Sequence, residues 1–288
     1  MGHASLVICT RNRARSLETC LGRFLAGNKG HAAELEVLIV DNGSSDDTRA
    51  VVERLAGASS LRVVYLREDR AGKSRALNLG VRTARGEVVL CTDDDCIPAD
   101  DWVQRCLAEF EADPELGLIG GRVELADPDD APVALSLGRE RRVYRSIFDV
   151  DPGPAIIGAN MAFRRALFGE IGGFDTRLGP GTRGSSAEDY DFVYRAIRAG
   201  EKVAYVPDAV VRHRHGRRTE TDVRAARIGY AVGRGAFYGK YAVRDREVRK
   251  SAYWHIRHVL QAPERRPEVP GSMQLIGLYC KGAISRLL

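Results

Sequence analysis

The chain has 288 residues, 44% hydrophobic and 29% charged, an ordinary globular composition that excludes a disordered polymer or a fibrous repeat. No run approaches the ~18 consecutive apolar residues of a membrane-spanning helix, and the first residues lack the regions of a secretion signal, so the expectation is a cytoplasmic protein whose six scattered cysteines are reduced. The net charge of +5 is uneven: residues 209–288 carry 17 Lys+Arg against 6 Asp+Glu, which leaves an acidic body and a basic C-terminal region suited to an anionic surface, an anionic acceptor or a nucleic acid.

Residues 5–10 form a short apolar run that predicts a buried strand, and a helical pattern covers 16–26. A second strand run spans 36–41 and closes on Asn42 and Gly43; Ser44, Ser45 and Asp46 are N-cap candidates for a helix running through Leu55. Strand and helix alternate again over 61–66 and 74–84, then over 87–91 and 100–112, and a fifth strand pattern covers 116–125. Near-continuous apolar strands separated by helices are what a parallel sheet buried on both faces requires. The fold class is therefore α/β, an open sheet with ligand sites at the carboxyl ends of its strands.

Residues 126–155 are polar and turn-rich, from Asp127-Pro128 to Pro152-Gly153, and read as a flexible loop with a short helix. A helix over 188–199 and a strand over 202–206 follow. Beyond His215 the chain reads as helical, with Tyr238, Tyr241, Tyr253 and Trp254 among basic residues and a moderately amphipathic last segment over 272–288. The organisation is thus a catalytic domain over 1–215 and a basic, aromatic-rich helical extension over 216–288.

Asp41 ends the second strand and Asp93, Asp94 and Asp95 end the fourth, so the sheet sets both at one edge. Asp41 is placed to accept hydrogen bonds from a ribose or base. Three adjacent carboxylates repel one another unless something positive joins them, and the expected partner is a hard cation, Mg²⁺ or Mn²⁺, with positions left for phosphate oxygens. A solvated acidic turn is the competing reading of the triplet alone; its place at the end of an apolar strand favours the cation. Gly72-Lys73-Ser74 suggests a phosphate loop, but Arg67 stands where that pattern needs glycine, so the P-loop is rejected. The helix start with Lys73 stays suited to an anion. Gly233 to Gly239 is no dinucleotide fingerprint, because no strand precedes it.

Several short motifs then fall into one pattern. They are Thr10-Arg11-Asn12-Arg13, Val40 to Asp46, Gly72 to Asn78, Asp93-Asp94-Asp95-Cys96-Ile97-Pro98, Gly158-Ala159-Asn160-Met161, Gly172-Gly173-Phe174-Asp175 and Glu188-Asp189-Tyr190-Asp191. In order and spacing, over roughly residues 5–215, they resemble glycosyltransferase family 2. The resemblance implies a GT-A fold, a Rossmann-like and mostly parallel sheet flanked by helices. It also implies a nucleotide-sugar donor (UDP first, GDP or dTDP open), a hydroxyl acceptor and inversion at the anomeric carbon.

The resemblance further implies that Thr10 and Arg13 line the nucleotide pocket, that Asp41 contacts base or ribose, and that Lys73 lies near nucleotide or phosphate. Asp93 and Asp95 match the outer positions of the family's DxD pattern and are the ligands expected for Mn²⁺ or Mg²⁺, with Asp94 near ribose or sugar. Gly158, Ala159 and Asn160 border the donor sugar and acceptor. Glu188 and Asp189 match the ED pair, Glu188 on the donor side and Asp189 as catalytic base. His213 matches a histidine that approaches metal or diphosphate; Arg212, Arg214, Arg217 and Arg218 are alternative diphosphate contacts. These roles are chemically consistent: a carboxylate deprotonates the attacking hydroxyl while a cation stabilises the leaving diphosphate.

The QxxRW pattern of processive synthases is absent, which together with the lack of apolar spans points to single-sugar addition. No nucleic-acid recognition motif is present, and no nucleic-acid partner is expected. The basic aromatic helices suit either a peripheral membrane contact or a cap on the sheet. Two competing functions stand beside transfer. A nucleotidyltransferase would carry a glycine-rich loop where Thr10 to Arg15 has none, and a non-catalytic sugar-nucleotide binder would lack either the metal carboxylates or the base.

Overall fold

The computed structural model describes residues 3–31, 34–150, 155–261, 280, 281 and 283. In chain order its strands and α-helices are β1 (Ala4–Thr10), α1 (Ala14–Gly27), β2 (Leu35–Asp41), α2 (Thr48–Gly57), β3 (Arg62–Arg67), α3 (Lys73–Thr83), β4 (Val88–Asp93), β5 (Cys96–Pro98), α4 (Trp102–Ala112), β6 (Leu116–Leu125), β7 (Arg142–Tyr144), α5 (Ile147–Val150), β8 (Met161–Arg164), α6 (Arg165–Ile171), α7 (Glu188–Arg198), β9 (Lys202–His213), α8 (Glu220–Tyr241) and α9 (Arg246–Gln261).

Successive strand residues point to opposite faces, and here both faces are apolar. Leu6, Ile8, Val37 and Ile39 pack with α1 and α4 residues such as Leu17 and Trp102. Val7, Cys9, Leu38 and Val40 pack with Leu77 of α3, Phe192 of α7 and Phe237 of α8. Burial on both sides is why these strands read as continuous apolar runs.

The sheet order is β3-β2-β1-β4-β8-β6-β9, with β5 and β7 both pairing β9. β3, β2, β1 and β4 run parallel, as do β6 and β9. β8 enters antiparallel between β4 and β6, so the α/β sheet is mixed. The short elements β5, β7, β8 and α6 have no counterpart in the sequence reading. The segment over 126–155 holds β7 and the short helix α5, while its Asp151 to Pro154 turn lies outside the described residues. So does the amphipathic segment over 272–288, apart from 280, 281 and 283.

Two local expectations are corrected. α2 starts after Asp47, whose side chain makes no capping bond. Ser44 and Asp46 instead reach across to the β1–α1 loop, accepting from the backbone N–H of Asn12 (2.9 Å) and Ala14 (3.0 Å). Asp46 also accepts from Thr48 N–H, which leaves it a minor part in starting α2.

The second correction concerns β9, which the sequence reading ends at Val206. The strand runs on to His213: its pairing with β6 jumps from Gly121↔Val206 to Arg122↔Val210, and residues 207–209 form a bulge. Asn160 fastens the bulge, its Nδ2 donating to the carbonyls of Ala209 (2.8 Å) and Arg122 (2.9 Å). A Cβ on Gly121 would stand 2.1 Å from the Ala209 oxygen, so only glycine fits there.

The C-terminal helices pack on α7. Phe237 is buried with its ring edge-on to Tyr190 (4.7 Å) and Tyr194 (5.2 Å). Beside it Asp191, wholly buried, accepts from Lys240 (2.6 Å), Tyr241 (2.8 Å) and Arg195 (2.9 Å). α8 starts from a capping box between Thr219 and Asp222. Among the described residues no helix is long and apolar enough to cross a membrane.

Candidate active site

Register and turns bring the polar residues together. β1 and β4 are parallel neighbours with Cys9 opposite Asp93, so Thr10 and the aspartate triplet leave the sheet side by side. Past Asp93 the chain turns through Asp94 and Asp95 into β5, whose Cys96 pairs with His213 at the end of β9. The start of α3 delivers Lys73: Gly72 adopts a φ of +129°, open to glycine, and its N–H donates to Asn42 Oδ1 (2.8 Å). Ala187 precedes Glu188 with a φ of +72°, a left-handed conformation that costs a non-glycine residue about 1 kcal/mol.

These elements surround a cleft of about 700 Å³. On its strand side Thr10 Oγ1 donates to Asp94 Oδ2 (2.7 Å), and Arg13 Nη1 spans Asp94 (2.9 Å) and Asp95 (2.7 Å). His213 Nε2 lies 3.1 Å from Asp95 Oδ1. Lys73 Nζ contacts Asp93 and lies 3.8 Å from Glu188 Oε1. Arg13, Lys73 and His213 thus stand as partners of the triplet beside the divalent cation expected from sequence. On the far side Asp189 Oδ2 accepts from the Gly158 N–H (2.8 Å) and Oδ1 from the Tyr190 N–H (2.7 Å).

Burial and neighbouring charge pull these groups apart. Burial raises the pKa of Asp94 despite Arg13. It works against the charge on Asp95 too, yet His213 and Arg13 hold that carboxyl far below its usual range. Burial also opposes the charges of Lys73 and His213. The carboxylates of Asp93 and Glu188 nevertheless raise Lys73, and Asp95 raises His213. Glu188 is pushed up to about 7 by burial and by the neighbouring Asp189 charge. Carboxylates with such different proton affinities in one cleft suit divided chemical roles.

Donor atoms of Asp93, Asp95, Cys96 and His213 lie within 4.8 Å of one another. Among the described residues they could hold a metal ion. Carboxylate oxygens fit Mg²⁺ or Mn²⁺, and an added imidazole suits the transition metal.

Of the residues singled out from sequence, Thr10, Arg13, Lys73, Asp93, Asp94 and Asp95 line the strand side of the cleft, and Gly158, Glu188, Asp189 and His213 complete it. Asp41 and Asn160 do not line it. Asp41 is 1% exposed and accepts from Ser44 N–H (2.7 Å) and Tyr65 OH (2.6 Å); its neighbour Asn42 reaches the cleft instead. Asn160 fastens the β9 bulge and accepts from Trp102 Nε1 (2.8 Å). Of the four arginines near His213, only Arg217 lines the cleft, while Arg218 pairs with Asp127 and Asp130.

Sequence reasoning missed a wall contributed by α8, where Tyr230 and Arg234 border the cleft and the Arg234 guanidinium lies 4.1 Å over the Tyr190 ring. Their i, i+4 spacing was the available signal.

Residues 5–172, more than half of the chain, match the sequence profile of Glycosyl transferase family 2. The chain is 25% identical over 215 residues to glycosyltransferase AglE of Haloferax volcanii, covering 73% of this chain and 66% of that protein. It is 29% identical over 245 residues to the pre-mycofactocin glycosyltransferase of Mycobacterium tuberculosis, covering 82% of this chain and 46% of that one. The matches thus span from under half to just under two thirds of these relatives' own lengths. Mannosyltransferase PcManGT from Pyrobaculum calidifontis, solved with GDP-Man and Mn²⁺, superposes with a TM-score of 0.68 at 22% identity, over 99% of this chain and 87% of that one. That likeness shows the fold, GT-A.

Proposed function

This chain belongs to glycosyltransferase family 2, and from that premise we propose an inverting, metal-dependent enzyme that moves one sugar from a nucleoside-diphosphate sugar to an acceptor hydroxyl. One observation carries the reading: the cleft divides its carboxylates into two sets. Asp93 and Asp95 stand with His213 close enough to share a cation, whereas Asp189 is held apart by the Gly158 N–H.

In this mechanism Asp189 accepts the proton of the acceptor hydroxyl as it attacks the anomeric carbon. The hydrogen bond from Gly158 fixes the carboxylate's direction. Thr10 and Arg13 orient Asp94 beside the donor, and Lys73 brings a positive charge to the departing diphosphate. Glu188, close to Lys73, borders the donor sugar. Asp93, Asp95 and His213 would hold Mn²⁺ or Mg²⁺, which supplies Lewis-acid stabilisation of the leaving group when bound. The GDP-Man and Mn²⁺ held by the Pyrobaculum protein favour Mn²⁺ and put GDP beside UDP as first donor nucleotides to test. The division at residue 215, with a helical extension that walls the acceptor side, belongs to the same proposal.

Asp189→Asn tests it. Transfer should fall by about 10²–10⁴-fold while nucleoside-diphosphate affinity in Mn²⁺ holds. Transfer near the wild-type rate would remove Asp189 as base.

A further inference from the structure

The two basic, aromatic C-terminal helices turn their rings in opposite directions. On α8, Phe237 and Tyr238 are buried and Tyr241 donates to Asp191, so this helix is a cap. α9 packs on α5 and α8 with Val248 and Ser251 buried, yet its Tyr253 and Trp254 turn outward, 59% and 57% exposed. Their ring centroids lie 5.6 Å apart. Arg246, Arg249, Lys250 and Arg257 are exposed beside them. These six positions recur at intervals of three and four residues, so they share one helix face.

The charge of that face is uncompensated. Among the described residues no carboxylate pairs with any of its four cations. The acidic residue of α9, Glu247, accepts from Ser146 Oγ (3.4 Å) at the start of α5. Arg249 Nη1 donates to the carbonyls of Ala242 and Val243 (both 3.1 Å), and the Arg257 guanidinium lies 5.2 Å over the Trp254 ring.

A single exposed ring needs no partner, but two touching rings framed by four unpaired cations form a patch of mixed chemistry. The boundary layer of a bilayer matches both halves of it. Trp and Tyr settle at headgroup level, where the ring is dry and its N–H or O–H is wet. Arg and Lys lay their stems along apolar surface while their charges reach lipid phosphates. A second copy of the chain, docked through the same face, would set these cations against their own kind. We propose that the outer face of α9 docks the protein on an anionic lipid surface, with Tyr253 and Trp254 entering the headgroup layer. This goes beyond the glycosyltransferase reading and does not depend on it.

The full chain contains two tryptophans and Trp102 is wholly buried, so a change of emission on adding vesicles reports Trp254. Phosphatidylcholine vesicles with about one third phosphatidylglycerol should bind the protein and shift its emission to the blue, and pure phosphatidylcholine should bind about tenfold more weakly or less. Lys250→Gln combined with Arg257→Gln should lower affinity for the anionic vesicles by about 20-fold. Trp254→Ser, followed by cosedimentation, should lower it by about tenfold. Melting temperature should hold in both variants, because the side chains changed are at the surface. Raising salt from about 0.1 M to about 1 M should release most of the wild type.

No binding to the anionic vesicles overturns the proposal, as does equal binding to both vesicle types. Binding without the blue shift, or undiminished in both variants, puts the contact elsewhere and overturns it as well. A single-stranded oligonucleotide held more tightly than the vesicles would assign the face to nucleic acid. A lipid-free wild-type dimer that Trp254→Ser dissociates in sedimentation would assign it to a second copy.

Discussion

Two aspartates of one short motif, both on α7, behave in opposite ways. Asp191 is 0% exposed and fully engaged by Lys240, Tyr241 and Arg195, whereas Asp189, two residues earlier, faces the cleft. The walls repeat that contrast. The strand side is an ionic cluster in which the Asp93 side chain keeps 23% exposure and Lys73 19%, while Asp94, Asp95 and His213 are buried beneath them. The helical side is held by rings packed around Phe237 and by the Asp191 knot. Charges that pair at a cleft surface can exchange partners when a ligand arrives, whereas a carboxylate sealed among three donors is scaffold. The same residue type therefore means chemistry where it faces the cleft and stability where it is sealed behind the wall.

The sharpest way to break this contrast is a pair of substitutions. Asp191→Asn should destabilise the protein by roughly 1.5–3 kcal/mol, because it removes the charged acceptor shared by Tyr241, Lys240 and Arg195, although Lys240 keeps Asp175 and Arg195 keeps three backbone carbonyls. Asp93→Asn should cost far less, since Lys73 keeps Glu188 and solvent. Chemical denaturation compares the two, and equal losses would erase the distinction.

A smaller effect reads the exchangeable side. A histidine must be neutral to bind a metal, and Asp95 raises the pKa of His213. Mn²⁺ affinity should therefore climb by about tenfold per pH unit below that raised pKa and level off above it. His213→Ala should lack the slope; a wild-type affinity independent of pH from 6 to 8, taken as roughly the histidine range, would remove His213 from the metal site. The smallest effect tests the scaffold side. Thr219→Ala removes the α8 cap and should cost about 1 kcal/mol in thermal unfolding, with Mn²⁺ affinity unchanged.

The strand side was legible because its residues sit at strand ends inside short motifs, where sequence order alone predicts a shared edge. Its details were less so. Asp41 reads by position as a ligand-binding carboxylate, and what its position does not report is that Ser44 N–H and the hydroxyl of Tyr65, a partner from β3, donate to it. Asn160 looks like a substrate contact within its motif, yet it fastens a bulge between two other strands. Such partners are distant in sequence, and no local pattern reports them. β5, β7 and β8 have three or four residues each, too few for a period to register. Tyr230 and Arg234 follow helical spacing, but a basic stripe on a helix reads equally well as a solvated face. Only the contact of Arg234 with Tyr190 turns that stripe toward the cleft.

The bulge at 207–209 has one further consequence. His213 reaches Asp95 because the chain spends three unpaired residues before β9 resumes its register with β6. The histidine is thus positioned by counting as much as by contact. A substitution within the bulge changes local fit, but deleting one residue shifts the remaining strand by a single step and turns its side chains to the opposite face. Every group needed for chemistry would still be present, with the imidazole pointing away from the carboxylates. The segment works as a length gauge, in which the number of residues sets where the imidazole points.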